Sequence, residues 1–125
     1  MAKLFLLLGS LNAGLSVILG AFGAHALKER LSPEFMDIFH TGVQYHFYHA
    51  LGLLAVGILA LHWPASGWLK ASGWLMTAGI VIFSGSLYLL VITNTRWLGA
   101  ITPIGGTAFI IAWAALAMAV FKQLY

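Results

Sequence analysis

The sequence predicts an all-α integral membrane protein: a four-helix bundle with a short amphipathic helix at the membrane surface before the second span. Three observations predict it. First, the 125-residue chain is 62% hydrophobic and 7% charged, where soluble domains are about 45–50% apolar and about 25% charged. Six basic and three acidic side chains cannot cover a water-facing surface without leaving apolar patches far larger than monomers tolerate. Second, four segments without a charge, about residues 4–27, 41–61, 71–95 and 99–121, each supply the ~20 apolar residues that cross a hydrocarbon core of ~30 Å. Third, small residues recur in these segments at the spacing of packed membrane helices.

In the first segment Gly9, Ala13, Ser16, Gly20 and Gly23 lie 4, 3, 4 and 3 residues apart, a seam that lets a neighbouring helix approach closely. Lys3 before the run and Ala24-His25-Ala26 after it also fit a cleaved signal peptide, but the run exceeds the 7–15 residues or so of such a core. A retained span is therefore expected. Asn12 lies inside it, where an amide is expected to bond a neighbouring helix.

Ser32 is a candidate N-cap, with Pro33 at the first helical position and Glu34 in the first turn. Phe35, Met36 and Phe39 interleave with Glu34 and Asp37, which predicts the interfacial helix over about 33–40. Whether it continues into the second span or bends near Gly42 stays open. In that span Asp37, Thr41, Gln44, Tyr45, Tyr48 and His49 share one arc, which is expected to face the bundle, with His46 on its margin. A seam of Gly42, Tyr45, His49, Gly52 and Val56 is read along it.

Pro64 and Gly67 mark the next turn. Ser72, Gly79 and Ser86 stand at every seventh position of the third span. Asn94 to Trp97 form a tight turn, and Gly105, Ala108, Ala112, Ala115 and Ala119 make the seam of the fourth span. Ala13-Gly14-Leu15 with Gly20 echoes Ala78-Gly79-Ile80 with Gly85, a weak sign of duplicated helix pairs. The chain reads as one transmembrane domain, residues 1–125.

Single, scattered cations disfavour nucleic-acid binding and suit anchors beside anionic lipid. Lys3, Lys70 and Lys122 fall on the side of the termini, against Lys28, Arg30 and Arg96 on the other. This positive-inside count is tied. The amino-terminal charge is taken to place the termini in the cytoplasm. With no cysteine, disulfide and thiolate chemistry are excluded.

Alternating spans gather His25, Gln44, Tyr45, His46, His49, Ser84, Ser86, Tyr88, Arg96 and Thr102 near one membrane face, the candidate polar cluster. Ionisable groups at such depth are functional by default, yet polar side chains also hold helices together by satisfying each other. Tyr45 with His49, or His25 with Gln44, are candidate internal pairs, and both readings stay open. Ser84-Gly85-Ser86 has no acid or base beside it in sequence and suits packing better than nucleophilic catalysis. Haem wants axial histidines on facing helices, which leaves His25 with His46 or His49. The His46-x-x-His49 pair could share a metal, but the spans contain no carboxylate to complete a site.

Several strings are shared with a known family. Gly20-Ala21-Phe22-Gly23-Ala24-His25-Ala26-Leu27, Phe39 through Tyr45-His46 to His49-Ala50-Leu51, Phe83-Ser84-Gly85-Ser86-Leu87-Tyr88, and Ile101-Thr102-Pro103-Ile104-Gly105-Gly106 with Trp113 resemble the YgdD-like bacterial membrane proteins. These are the uncharacterised protein family 0382, or domain of unknown function 423. The resemblance covers essentially the whole chain in order. It implies a small multi-pass protein of the bacterial inner (plasma) membrane, with relatives in mitochondria-bearing organisms, and carries no catalytic or binding residues over.

The function expected is that of a non-enzymatic component that packs against lipid, another membrane protein or a second copy. The alternative is a binding protein for haem, metal or a quinone-like molecule, built on the polar cluster.

Overall fold

The computed structural model describes residues 1–124, whose regular elements are all helices, with no strand among them. Four helices are long and apolar enough to cross a membrane: α1 (Ala2–Leu27), α2 (Pro33–His62), α3 (Gly67–Thr93) and α4 (Arg96–Gln123). The chain is thus a multi-pass membrane bundle.

Local chemistry sets the helix ends. Ser32 Oγ accepts from the Phe35 amide at 3.2 Å, with Pro33 in the first turn, and Ser66 Oγ does the same for Leu69 at 3.2 Å. Each cap satisfies an amide that the helix itself leaves unbonded. α3 stops where Asn94 turns left-handed at φ 54°, a conformation that asparagine tolerates better than most residues. The expected surface segment 33–40 is not a separate element. It forms the first turns of α2, which runs unbroken from Pro33 to His62.

α1 packs chiefly on α2 and α4 chiefly on α3, while α2 and α3 join the two pairs. The expected seams mediate this. Gly9 meets the backbone of Ala50 and Leu54, Gly20 meets Val43 and Gly23 meets Phe39, so the α1 seam faces α2. In α4, Gly105 lies directly on the Phe83 backbone of α3, where no methyl fits. Ser72 donates to the Ala112 carbonyl of α4 at 2.7 Å.

Two apolar cores result. Phe5, Leu53, Val56, Leu69, Met76 and Phe109 fill the half nearer the termini, and Phe35, Phe39, Leu87, Leu90 and Val91 fill the other. Along α2 the buried histidines lie between them. Near this level α1 and α3 each widen into a π-helical turn, at Leu19–Gly23 and Ile80–Ser84. Both turns meet α2 beside Gly42 and Val43: Gly20 approaches Val43, and Ser84 donates to the Gly42 carbonyl at 2.7 Å.

Candidate functional site

The inward face of α2 differs from the expected polar arc. Gln44, Tyr45, Tyr48 and Asp37 are exposed, whereas His46, expected at the margin, is 2% exposed and His49 4%. The buried positions Phe35, Phe39, Gly42, His46, His49, Leu53, Val56 and Ala60 repeat at 4 and 3 residues, the heptad seam of antiparallel packing. Packing followed the heptad, which takes His49 of the expected arc inside, leaves Thr41 half-buried and leaves Asp37, Gln44, Tyr45 and Tyr48 outside.

His46 joins three helices. Its Nε2 lies 2.8 Å from Asn12 Oδ1 of α1 and its Nδ1 lies 2.9 Å from Tyr88 Oη of α3. Asn12 Nδ2 donates to the Leu8 carbonyl at 2.8 Å, so its oxygen faces the imidazole and accepts. Nε2–H is then the donor toward α1, and in the neutral ring Nδ1 accepts from the Tyr88 hydroxyl. A directed chain runs from Tyr88 through His46 and Asn12 to the α1 backbone.

His49, one turn on, is held differently. Trp113 Nε1–H of α4 donates to its Nε2 at 3.0 Å. Indole can only donate, so Nε2 carries no proton and Nδ1–H donates to the Tyr45 carbonyl at 2.7 Å. The Phe109 ring stacks on the imidazole at 3.5 Å and 8°. The i,i+4 link expected between Tyr45 and His49 therefore uses the Tyr45 backbone, leaving its hydroxyl unused.

The other cluster residues separate into two groups. Ser84 bonds the Gly42 carbonyl, and Ser86 bonds both the Phe83 carbonyl at 2.9 Å and Thr102 Oγ1 at 2.6 Å, which ties α3 to α2 and α4. Outside the network, Arg96 pairs with Glu34 at 3.0 Å and lies 4.9 Å above the Phe35 ring. His25 is exposed among Lys28, Glu29 and Arg30, and the expected His25–Gln44 pair does not form: both side chains are exposed and, among the described residues, neither has a hydrogen-bond partner. His25 lies near the end of α1, exposed, whereas His46 and His49 are buried.

Beside His49 a cleft of about 760 Å³ opens on the outer face of the bundle between α2 and α4, floored by Phe83 of α3. Tyr45, Tyr48, Phe109 and Trp113 wall it, with Gly106 and Thr107 on the α4 side. Trp113 and Phe109, neither of which is in the expected polar cluster, thus join the site. The signal lay in their spacing, since the two stand one turn apart on α4. Among the described residues no three of His, Asp and Glu gather into a metal-binding group, and buried side-chain nitrogens and oxygens all have partners within the protein.

Fold and site define a small four-helix membrane protein with a buried, self-satisfied polar network and a lateral aromatic cleft. Its residues 19–106, more than half of the chain, match the family model described as protein of unknown function DUF423, and the chain belongs to that family. It is 53% identical over 122 residues to the UPF0382 membrane protein YwdK of Bacillus subtilis (strain 168), covering 98% of this chain and 99% of the relative. A UPF0382 membrane protein of Staphylococcus epidermidis (strain ATCC 12228) is 49% identical, covering 96% of this chain and 97% of that one. Another, of Staphylococcus saprophyticus, is 47% identical with 96% and 98% covered. No solved structure matches the chain.

Proposed function

We propose that this protein is a non-enzymatic component of the bacterial inner (plasma) membrane that holds a lipid-like apolar molecule in the cleft between α2 and α4. The cleft itself carries the reading: about 760 Å³ walled by aromatic rings and open sideways, at a depth where the surrounding solvent is acyl chain. Such a volume and lining suit a ligand that is mostly hydrocarbon. Tyr45 and Tyr48 are 38% and 51% exposed, and their hydroxyls have no hydrogen-bond partner among the described residues. They are free to meet an ester or ring oxygen.

The imidazoles favour binding over chemistry. Both nitrogens of His46 and both of His49 are engaged within the protein, so a haem iron or metal must first displace Tyr88, Asn12, Trp113 or the Tyr45 carbonyl. A quinone-like ring is the second reading. It is favoured by the parallel stack of His49 on Phe109 in the cleft wall, against which a further flat ring packs well.

The test uses the full chain purified in mild detergent, with native mass spectrometry and absorption spectroscopy. Wild type should retain about one apolar molecule per chain, and Gly106→Leu, which fills the cleft, should lose it. A β-carbon at Gly106 meets only ordinary contacts with Phe83, so the fold should survive. Wild type and variant retaining the same molecules would overturn the reading, and a quinone absorption band would identify the ring alternative.

Cytoplasmic termini are part of the same proposal. Because the chain has no cysteine, single Lys28→Cys and Lys122→Cys variants can be labelled in intact cells with an impermeant maleimide. Only the Lys28→Cys variant should react.

A further inference from the structure

A second cavity, of about 520 Å³, lies at the membrane face between the α1–α2 loop and the α3–α4 turn. It shares no lining residue with the aromatic cleft. Arg30 and Arg96 line it, together with Ser32 and Asn94, and apolar side chains including Leu27, Phe35 and Ile92 line the rest. It contains no carboxylate of its own, so its lining carries two positive charges. Glu34, bonded to Arg96 at 3.0 Å from outside the lining, leaves these three side chains with one positive charge in excess.

Arg96 is held by two contacts while its side chain stays 66% exposed. Phe35, 7% exposed, lies under its guanidinium with the carbon 4.9 Å from the ring centroid, and only Nη1 is committed to Glu34. A guanidinium has five donors in a planar fork suited to phosphate oxygens. Arg30 has no salt-bridge partner among the described residues. Two arginines lining a cavity with apolar side chains, at the level where helices end, match an amphiphile with one negative charge and a hydrocarbon tail.

We propose that this cavity binds the phosphodiester headgroup of an anionic phospholipid, between Arg30 and Arg96, with an acyl chain descending past Ile92. The site does not depend on what fills the aromatic cleft. The full chain in mild detergent is titrated with short-chain phosphatidylglycerol and with phosphatidylcholine of the same chains, and binding is read by native mass spectrometry. Phosphatidylglycerol should be preferred, and R30Q and R96Q should each reduce that preference about fivefold. E34Q, which removes the nearby carboxylate and frees Arg96, should strengthen it, an effect that a merely structural role for the ion pair does not produce.

R30Q breaks no internal hydrogen bond, so its result stands even if R96Q loosens the turn. An unchanged preference in R30Q and in the R30Q/R96Q double variant would overturn the proposal. So would inorganic phosphate abolishing the preference at equal concentration, which would assign the arginines to a free anion. Gly106→Leu should leave the preference unaltered, so failure here and failure of the aromatic cleft are read separately.

Discussion

His46 and His49 are the same residue type, one turn apart on one helix and nearly equally buried, yet the bundle uses them differently. His46 is bonded only by side chains from other helices, Asn12 of α1 and Tyr88 of α3. His49 bonds its own helix through the Tyr45 carbonyl and borders a cleft through Trp113 and Phe109. The first holds the relative positions of three helices, whereas the second shapes a wall. A buried imidazole in a membrane is therefore not one kind of signal; its role depends on which neighbours occupy its two nitrogens.

The sharpest way to break this contrast is His46→Ala. It strands the Asn12 oxygen and the Tyr88 hydroxyl and opens a void, and should cost about 2–4 kcal/mol of stability, read by reversible unfolding in detergent. A loss no larger than that of a surface variant would show that the three-helix network holds nothing.

His49→Ala should cost less, about 1–2 kcal/mol, because the Tyr45 carbonyl keeps its helical bond, only the Trp113 N–H loses an acceptor, and the space left opens into the cleft that His49 already borders. Its distinctive readout is the cleft, where occupancy should change while helix assembly persists. Equal stability losses for the two alanine variants would erase the distinction.

A double-mutant cycle of Asn12→Leu with Tyr88→Phe should then reveal coupling through His46 of about 0.6 kcal/mol or somewhat more, the usual scale between membrane helices. The same cycle between Asn12→Leu and Trp113→Phe should show none, because those residues bond different histidines. A small effect is expected at Ser72→Ala. Removing its 2.7 Å bond to the Ala112 carbonyl should cost about 0.6 kcal/mol, and exposed Ser10→Ala should be neutral by the same unfolding measurement.

The histidines also show why the fold was more legible than the site. Hydropathy and small-residue spacing are properties of single helices, and they anticipated the four helices and the faces of α1 and α4 that meet neighbours. Reading α2 by its polar residues pointed inward at Gln44 and Tyr48. The heptad through Phe39, Gly42, His46, His49 and Leu53 was present in the same letters and marks the packed face. The contacts of Asn12 with His46, Trp113 with His49 and Glu34 with Arg96 span 34, 64 and 62 residues, and no local pattern announces such pairs.

What the sequence determined by itself was the solvent. Nine charges in 125 residues and four long apolar runs require lipid, and in lipid the backbone must satisfy its own hydrogen bonds as helices. What only the tertiary structure decided was which polar groups are satisfied by one another and which are left facing a cleft or the membrane surface. That outcome depends on how four helices rotate about their axes as they pack, and rotation is fixed by the fit of side chains between helices.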